Sequence, residues 1–223
     1  MNIRKIEPVG DCAISVMFEN KIDLNVNRKV QRLHRFLKEE KIPGIRESIP
    51  SYCSLLVFYD PCQISYKKIG SLIKKVKEVT ADVEDQDGRV IEIPVVYGGK
   101  YGEDLETVAA YAGMTPEEVI WIHTEPTYYV YQIGFLPGFP YLGGLDPRIH
   151  APRLANPRLE IPMGSVGIGG EQTGIYPLPS PGGWQLIGRT PLKLYQKEQE
   201  QPVLLQPGDR VRFVSITEGE FEF

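Results

Sequence analysis

Between Gly134 and Thr190 the chain sets glycine and proline among large aromatic side chains, and this stretch limits what the rest can fold into. It opens with GFLPGFPYLGG (Gly134 to Gly144) and closes with GSVGIGGEQTGIYPLPSPGGWQLIGRT (Gly164 to Thr190). Glycine permits positive φ and close backbone approach, while proline fixes φ and removes an N–H donor. A flexible linker would carry Ser, Lys and Glu in place of Phe135, Phe139, Tyr141, Tyr176 and Trp184. Rigid loops folded against a pocket are therefore expected, with the remaining elements supporting them.

With 223 residues, 42% hydrophobic and 24% charged, the chain can form a core as one large β-rich domain or two small ones. A net charge of −4 and no basic run longer than a pair exclude nucleic acid as the main partner. The charged N-terminus (MNIRKIEPVGDCAISVMF) lacks the apolar core of a signal peptide, and no 18-residue apolar run occurs. A cytoplasmic protein without a membrane span is expected. Cys12, Cys53 and Cys62 lack C-x-x-C spacing, and Cys12 and Cys53 read as buried free thiols.

Residues 1–85 read as a compact α+β unit. RKIEPVG and CAISVMF form two strands around a Gly10-Asp11 turn. A helix then runs from an Asp23 cap, with Val26, Val30, Leu33 and Leu37 on one stripe, to a stop at Pro43-Gly44. GIRESIP and SLLVFYD are strands, and a second helix from about Ser65 turns Ile69, Leu72, Ile73 and Val76 inward. The β-β-α-β-β-α order, or β-α-β-β-α with a split first strand, suggests a small ferredoxin-like sandwich. Lys67-Lys68 and Lys74-Lys75 read as a solvated helix face, and His34 as exposed.

The acidic, turn-rich segment Ala81 to Arg89 marks the boundary to a second domain, residues 86–223. RVIEIPVVYGG is a strand whose Pro94 suggests an edge or bulge. Asp104 to Ala112 is a short helix ended by Gly113, and Thr115-Pro116-Glu117-Glu118 opens another with a capping box. TYYVYQIGF, PLKLYQ and VLLQPGDRVRFVSI add strands, the last as a hairpin around Pro207-Gly208-Asp209. Many short strands with two helices predict a closed or nearly closed β-barrel.

The chemistry-bearing groups are few. There is no G-x-x-x-x-G-K-[ST], no G-x-G-x-x-G opening a helix, no G-x-S-x-G and no paired metal-binding histidines. The backbone of GSVGIGG, including Gly167, Gly169 and Gly170, either forms an oxyanion nest or shapes barrel corners. Arg153 and Arg189 either bind a carboxylate or phosphate or pair with Asp146 or Glu160. Gln172, Thr173 and Tyr176 are expected to orient a substrate by hydrogen bonds, and Phe139, Tyr141 and Trp184 to form its apolar walls. Arg153, Gln172 and Arg189 are the candidate catalytic groups; His123 and His150 flank the stretch as further acid–base candidates. No metal site is expected. This is pocket architecture short of catalytic groups, as in one half of a composite site.

IEIPVVYGG (Ile91 to Gly99), GFLPGFPYLGGL, PRLEIPMGSVGIGGEQTGIYPLPSPGGWQLIGRTP and LLQPGDRVRFV, in that order, resemble the family of bacterial 5-oxoprolinase B-type subunits. That family includes the Kip-type inhibitor of a sporulation histidine kinase and is also called allophanate hydrolase subunit 1. The resemblance implies a cyclophilin-like barrel behind the small α+β domain. It implies action with a carboxyltransferase-like C-type partner and a LamB/YcsF-like A-type partner. Together these would open 5-oxo-L-proline to L-glutamate with hydrolysis of ATP shared among the subunits. Two other roles fit the same family: a non-catalytic histidine-kinase inhibitor, and half of an allophanate or urea carboxyltransferase.

Overall fold

The protein is described here by a computed structural model covering residues 3–79 and 88–222, with side chains of 77–79 left aside. The chain divides into two compact units, Met1–Gln86 and Asp87–Phe223. The acidic stretch expected to carry the boundary lies mostly outside the described residues.

The first unit runs β1 (Lys5–Val9), β2 (Ala13–Met17), α1 (Leu24–Glu39), β3 (Ile45–Pro50), β4 (Ser54–Tyr59) and α2 (Tyr66–Val79). Gly10, at φ +64°, closes the β1–β2 hairpin. Asp23 caps α1 by accepting from the Asn25 and Val26 amides at 2.9 and 3.2 Å. The antiparallel sheet has the order β1-β2-β4-β3. Along β4, Leu55, Val57 and Tyr59 are buried in alternation, and they pack with Ile14, Val16, Val30, Leu33, Ile69 and Ile73 in one cluster. Asn27 on α1 donates to the Ser51 and Tyr52 carbonyls, tying the helix to the turn between β3 and β4. A ferredoxin-like unit has the order β-α-β-β-α-β. Here all four strands precede the second helix, and the first two form a leading hairpin, so that label does not describe the observed order. Cys12 and Cys53 are half-buried free thiols, and His34 is half-buried against Ser48, each differing from expectation.

In the second unit, β5 (Val90–Tyr97) leads to α3 (Leu105–Ala112) and α4 (Pro116–Thr124). Gly113, left-handed at φ +66°, ends α3, and Thr115 and Glu118 exchange the capping-box bonds that start α4. There follow β6 (Tyr128–Ile133), β7 (Pro140–Gly143), β8 (Arg158–Ile161), β9 (Ser165–Gly169), β10 (Gln172–Ile175), β11 (Ser180–Gly182), β12 (Gln185–Arg189) and β13 (Arg210–Ser215). Seven of these close a barrel in the order β10-β7-β6-β13-β5-β12-β9, and β8 and β11 pair separately. The barrel is filled by Ile93, Val95, Tyr128, Val130, Leu142, Val166, Ile168, Ile175, Ile187, Val211 and Phe213.

Two expectations change here. β13 lies between β5, to which it is parallel, and β6. Both its edges are therefore taken, and Val203 to Gln206 forms no hairpin arm; Leu205 instead enters the core, and PLKLYQ contributes an isolated bridge from Tyr195 to Val203. Pro94 lies in a strand flanked on both sides, not at an edge. It is tolerated because β12 pairs with β5 only at Val96 and Tyr97, so Pro94 lies beyond the paired stretch on that side.

Candidate functional site

The register of β9, β10 and β12 sorts the Gly134–Thr190 stretch onto two faces. Residues directly opposite across an antiparallel pair share a face. Thr173 opposes Ile168, and Gln185 opposes Ile168 from the other side, so all three point into the barrel. Gly169, Gly167 and Gly174 project outward, with Gln172 opposite Gly169 and Tyr141 opposite Gly174.

This outer glycine strip carries an aromatic layer. A side chain at Gly169 would begin 2.5 Å from Cε2 and Nε1 of Trp184; one at Gly174 would meet Trp184 at 3.0 Å and Phe139 at 3.2 Å. The glycines let the Trp184 indole lie against the barrel wall. Phe139 stands edge-on to Tyr176 and Trp184 at 5.1 and 5.5 Å between centroids, with Tyr141 beside it at 5.0 Å. Trp184 is 5% exposed, so the layer is a built surface, with Leu136, Tyr141 and Gln172 half open beside it and the exposed Phe135 edge-on to Phe139 at 5.6 Å. Burial raises the Tyr176 phenol to about 12, and its hydroxyl is engaged by the Trp184 backbone. Burial also raises the Tyr141 phenol, against the lowering effect of Arg153.

Arg153 completes the face. Its guanidinium lies 5.7 Å from the Trp184 ring centroid, and among the described residues it has no carboxylate partner. The expected acidic partners are occupied elsewhere or unused: Asp146 pairs with Arg148 at 2.8 Å. Asp146 is held down to about 2 by that same arginine. Arg153 thus remains an exposed, planar, bidentate donor over an aromatic floor, suited to a carboxylate.

The other candidates fall elsewhere. Arg189 donates from Nε to the Met163 carbonyl at 2.7 Å and stacks near Phe221, away from the aromatic layer. Thr173 is sealed inside the barrel. The Gly164 and Gly170 amides donate to the Tyr176 and Ala151 carbonyls. Gly167 and Gly169 lie in a strand flanked on both sides. The Gly164 and Gly170 amides are therefore committed to the fold and do not serve as free oxyanion donors.

His123 is fully buried and serves the fold as well. Tyr97 Oη lies 2.8 Å from His123 Nδ1, His123 Nε2 lies 2.9 Å from Thr173 Oγ1, and Thr173 donates to the Gly167 carbonyl at 3.0 Å. Donor–acceptor balance fixes the direction: the phenol donates to Nδ1, and Nε2–H donates to the threonine. Burial alone pushes the imidazole down to about 3, so it stays neutral. His150 reaches the Leu145 carbonyl at 3.3 Å.

Asp104 is a residue the sequence does not flag. It is 7% exposed, accepts from the Leu186 amide at 2.6 Å and pairs with Arg158 at 2.7 Å. An aspartate before a helix reads as a cap, yet its side chain makes no cap bond and instead secures β12 behind Trp184. Among the described residues no group of three His, Cys, Asp or Glu could hold a metal, and no helix is long and apolar enough to cross a membrane.

The site is an arginine–aromatic face on the wall of a closed seven-stranded barrel, and the sequence comparison supplies its family. Residues 4–205 match the family described as carboxyltransferase domain, subdomain C and D, and the chain belongs to it. Within that family, the B subunit of 5-oxoprolinase from Bacillus subtilis (strain 168) is 46% identical, over 99% of this chain and 97% of that protein. The crystal structure of TTHA0988 superposes with a TM-score of 0.82 at 38% identity, over 92% of this chain and 40% of that one. The urea amidolyase of K. lactis shares the fold, with a TM-score of 0.76 at 23% identity, over 97% of this chain and 15% of that one.

Proposed function

We propose that the chain is the B-type subunit of an ATP-dependent 5-oxoprolinase. It would open 5-oxo-L-proline to L-glutamate together with a carboxyltransferase-like C-type partner and a LamB/YcsF-like A-type partner. The near full-length relationship to the B subunit of a 5-oxoprolinase carries this reading. The arginine–aromatic face supports it, because the substrate is a flat lactam bearing one carboxylate. In this account Arg153 holds the carboxylate bidentately, and Tyr141 and Trp184 pack against the ring. Gln172 hydrogen-bonds at the margin.

The same face does not fit ATP. A triphosphate needs several donors or cations, and this face offers one unpaired guanidinium, while the Gly164 and Gly170 amides are already bonded. Phosphoryl chemistry and the groups that move protons belong, in this reading, to the partner subunits. A cyclophilin-like label for the barrel and a cytoplasmic location accompany the proposal. Co-expression with the A- and C-type subunits tests it: a stable complex containing this chain is expected, and failure of correctly folded subunits to associate contradicts it.

A further inference from the structure

A cleft of about 450 Å³ opens in the α+β unit between the last turn of α1, the loop after it and strand β3, an edge of the sheet. Leu37, Ile42 and Ile45 give it an apolar floor. Lys38, Lys41 and Arg46 line the cleft beside one carboxylate, Glu47; with Arg46 drawn to Asp60, a surplus of one positive charge remains on a chain of net charge −4. Lysines near a helix C-terminus also complement its dipole. Three observations go beyond that general effect. Arg46 is drawn to Asp60 at 3.2 Å, but Lys38 and Lys41 have no ion-pair partner among the described residues. Lys41 holds a left-handed backbone at φ +43°, where glycine or asparagine is the less strained choice. His34 lines the cleft with its Nδ1 2.8 Å from Ser48 Oγ, which pins the ring between α1 and β3. With the serine hydroxyl donating to Nδ1, the Nε2–H remains as a further donor.

We infer that this cleft binds a phosphate monoester dianion carrying a planar or apolar body, about the size of a nucleoside monophosphate. The volume lies in the range of small-ligand pockets, roughly 300–1,000 Å³. The phosphate meets Lys38, Lys41 and the His34 Nε2–H, and the organic body covers Leu37, Ile42 and Ile45. The site lies within the first unit and is independent of the barrel face.

The imidazole of His34 is held below its ordinary range by burial first, then by Lys38 and Arg35. The charged groups around it are Arg35 and Lys38 on α1, Lys41 on the loop, and Arg46 and Glu47 on β3. A bound dianion offsets the cations, so the His34 titration moves to higher pH.

The test is titration of the full chain with AMP, inorganic phosphate and adenosine, followed by calorimetry and by the His34 ring resonance. AMP is expected to bind with a Kd below about 1 mM and at least about tenfold more tightly than inorganic phosphate, with adenosine not saturating. The Lys38→Gln/Lys41→Gln double variant, with unchanged thermal unfolding, weakens AMP at least about tenfold through the lost charge-assisted bonds. No saturable AMP binding overturns the inference. So does equal binding of AMP and adenosine, equal binding of AMP and inorganic phosphate, or unchanged affinity in the double variant. The readout is binding, so the result stands apart from the proposed activity.

Discussion

The indole of Trp184 occupies the space that a side chain at Gly169 would require, 2.5 Å from the position of its Cβ. A rigid ring backed by Phe139 leaves little room for relief. Gly169→Ala is expected to lower stability by about 1–3 kcal/mol, the usual cost of overpacking, and to shift Trp184 emission to the red. Gly134→Ala, where nothing lies within 4 Å, serves as the control and should leave both unchanged. Equal behaviour of the two variants in urea unfolding would contradict this role for Gly169.

Asp104 joins the start of α3 to β8 through a part-buried pair with Arg158 and to β12 through a bond from the Leu186 amide. Its replacement by alanine strands the buried Leu186 amide, while Arg158 keeps its pair with Glu103 at 3.0 Å. Asp104→Ala is expected to cost about 1–3 kcal/mol, as for a buried donor left unsatisfied. The check is the urea midpoint, and a loss below about 1 kcal/mol would place the pair among weak surface contacts.

His123 makes stability depend on pH in a definite direction. Burial lowers its folded pKa from 6.5 to about 3, so the unfolded chain takes up a proton that the native chain refuses. The contribution is complete above pH 6.5 and is lost as pH falls toward 3, by about 1.4 kcal/mol per pH unit. His123→Gln removes this slope. Unfolding curves of the two proteins should therefore converge toward acid; parallel curves would show that the ring is not held neutral.

Arg153 is exposed and has no carboxylate partner among the described residues, so its variants report on binding. In the assembled enzyme, Arg153→Gln is expected to raise KM for 5-oxoproline about 10–100-fold with a smaller change in kcat, the mark of lost uniform binding. Arg153→Lys should recover part of the loss, since an ammonium lacks the bidentate fork. An unchanged KM would remove Arg153 from the site.

Much of the fold is legible from local chemistry. The Asp23 cap, the Thr115–Glu118 box, the Gly113 stop and the amphipathic stripe of α1 are each written in a few adjacent residues. The aromatic–glycine stretch also declares a rigid face. What is not local is hidden. Asp104 meets its partners 54 and 82 residues away, and the parallel return of β13 to β5 spans the whole unit. Arg153 and Arg189 look equivalent in sequence; only the folded chain shows one over Trp184 and the other donating to Met163. Thr173 and Gln172 are neighbours, yet strand alternation sends one into the core and the other to the surface.

The central claim is tested most directly by mixing this chain with its A- and C-type partner subunits, ATP and 5-oxo-L-proline, and measuring L-glutamate. The account predicts glutamate formation that requires this chain and falls when Arg153 is replaced by Gln. A complete, well-folded mixture that forms no glutamate, or forms it equally without this chain, would contradict it.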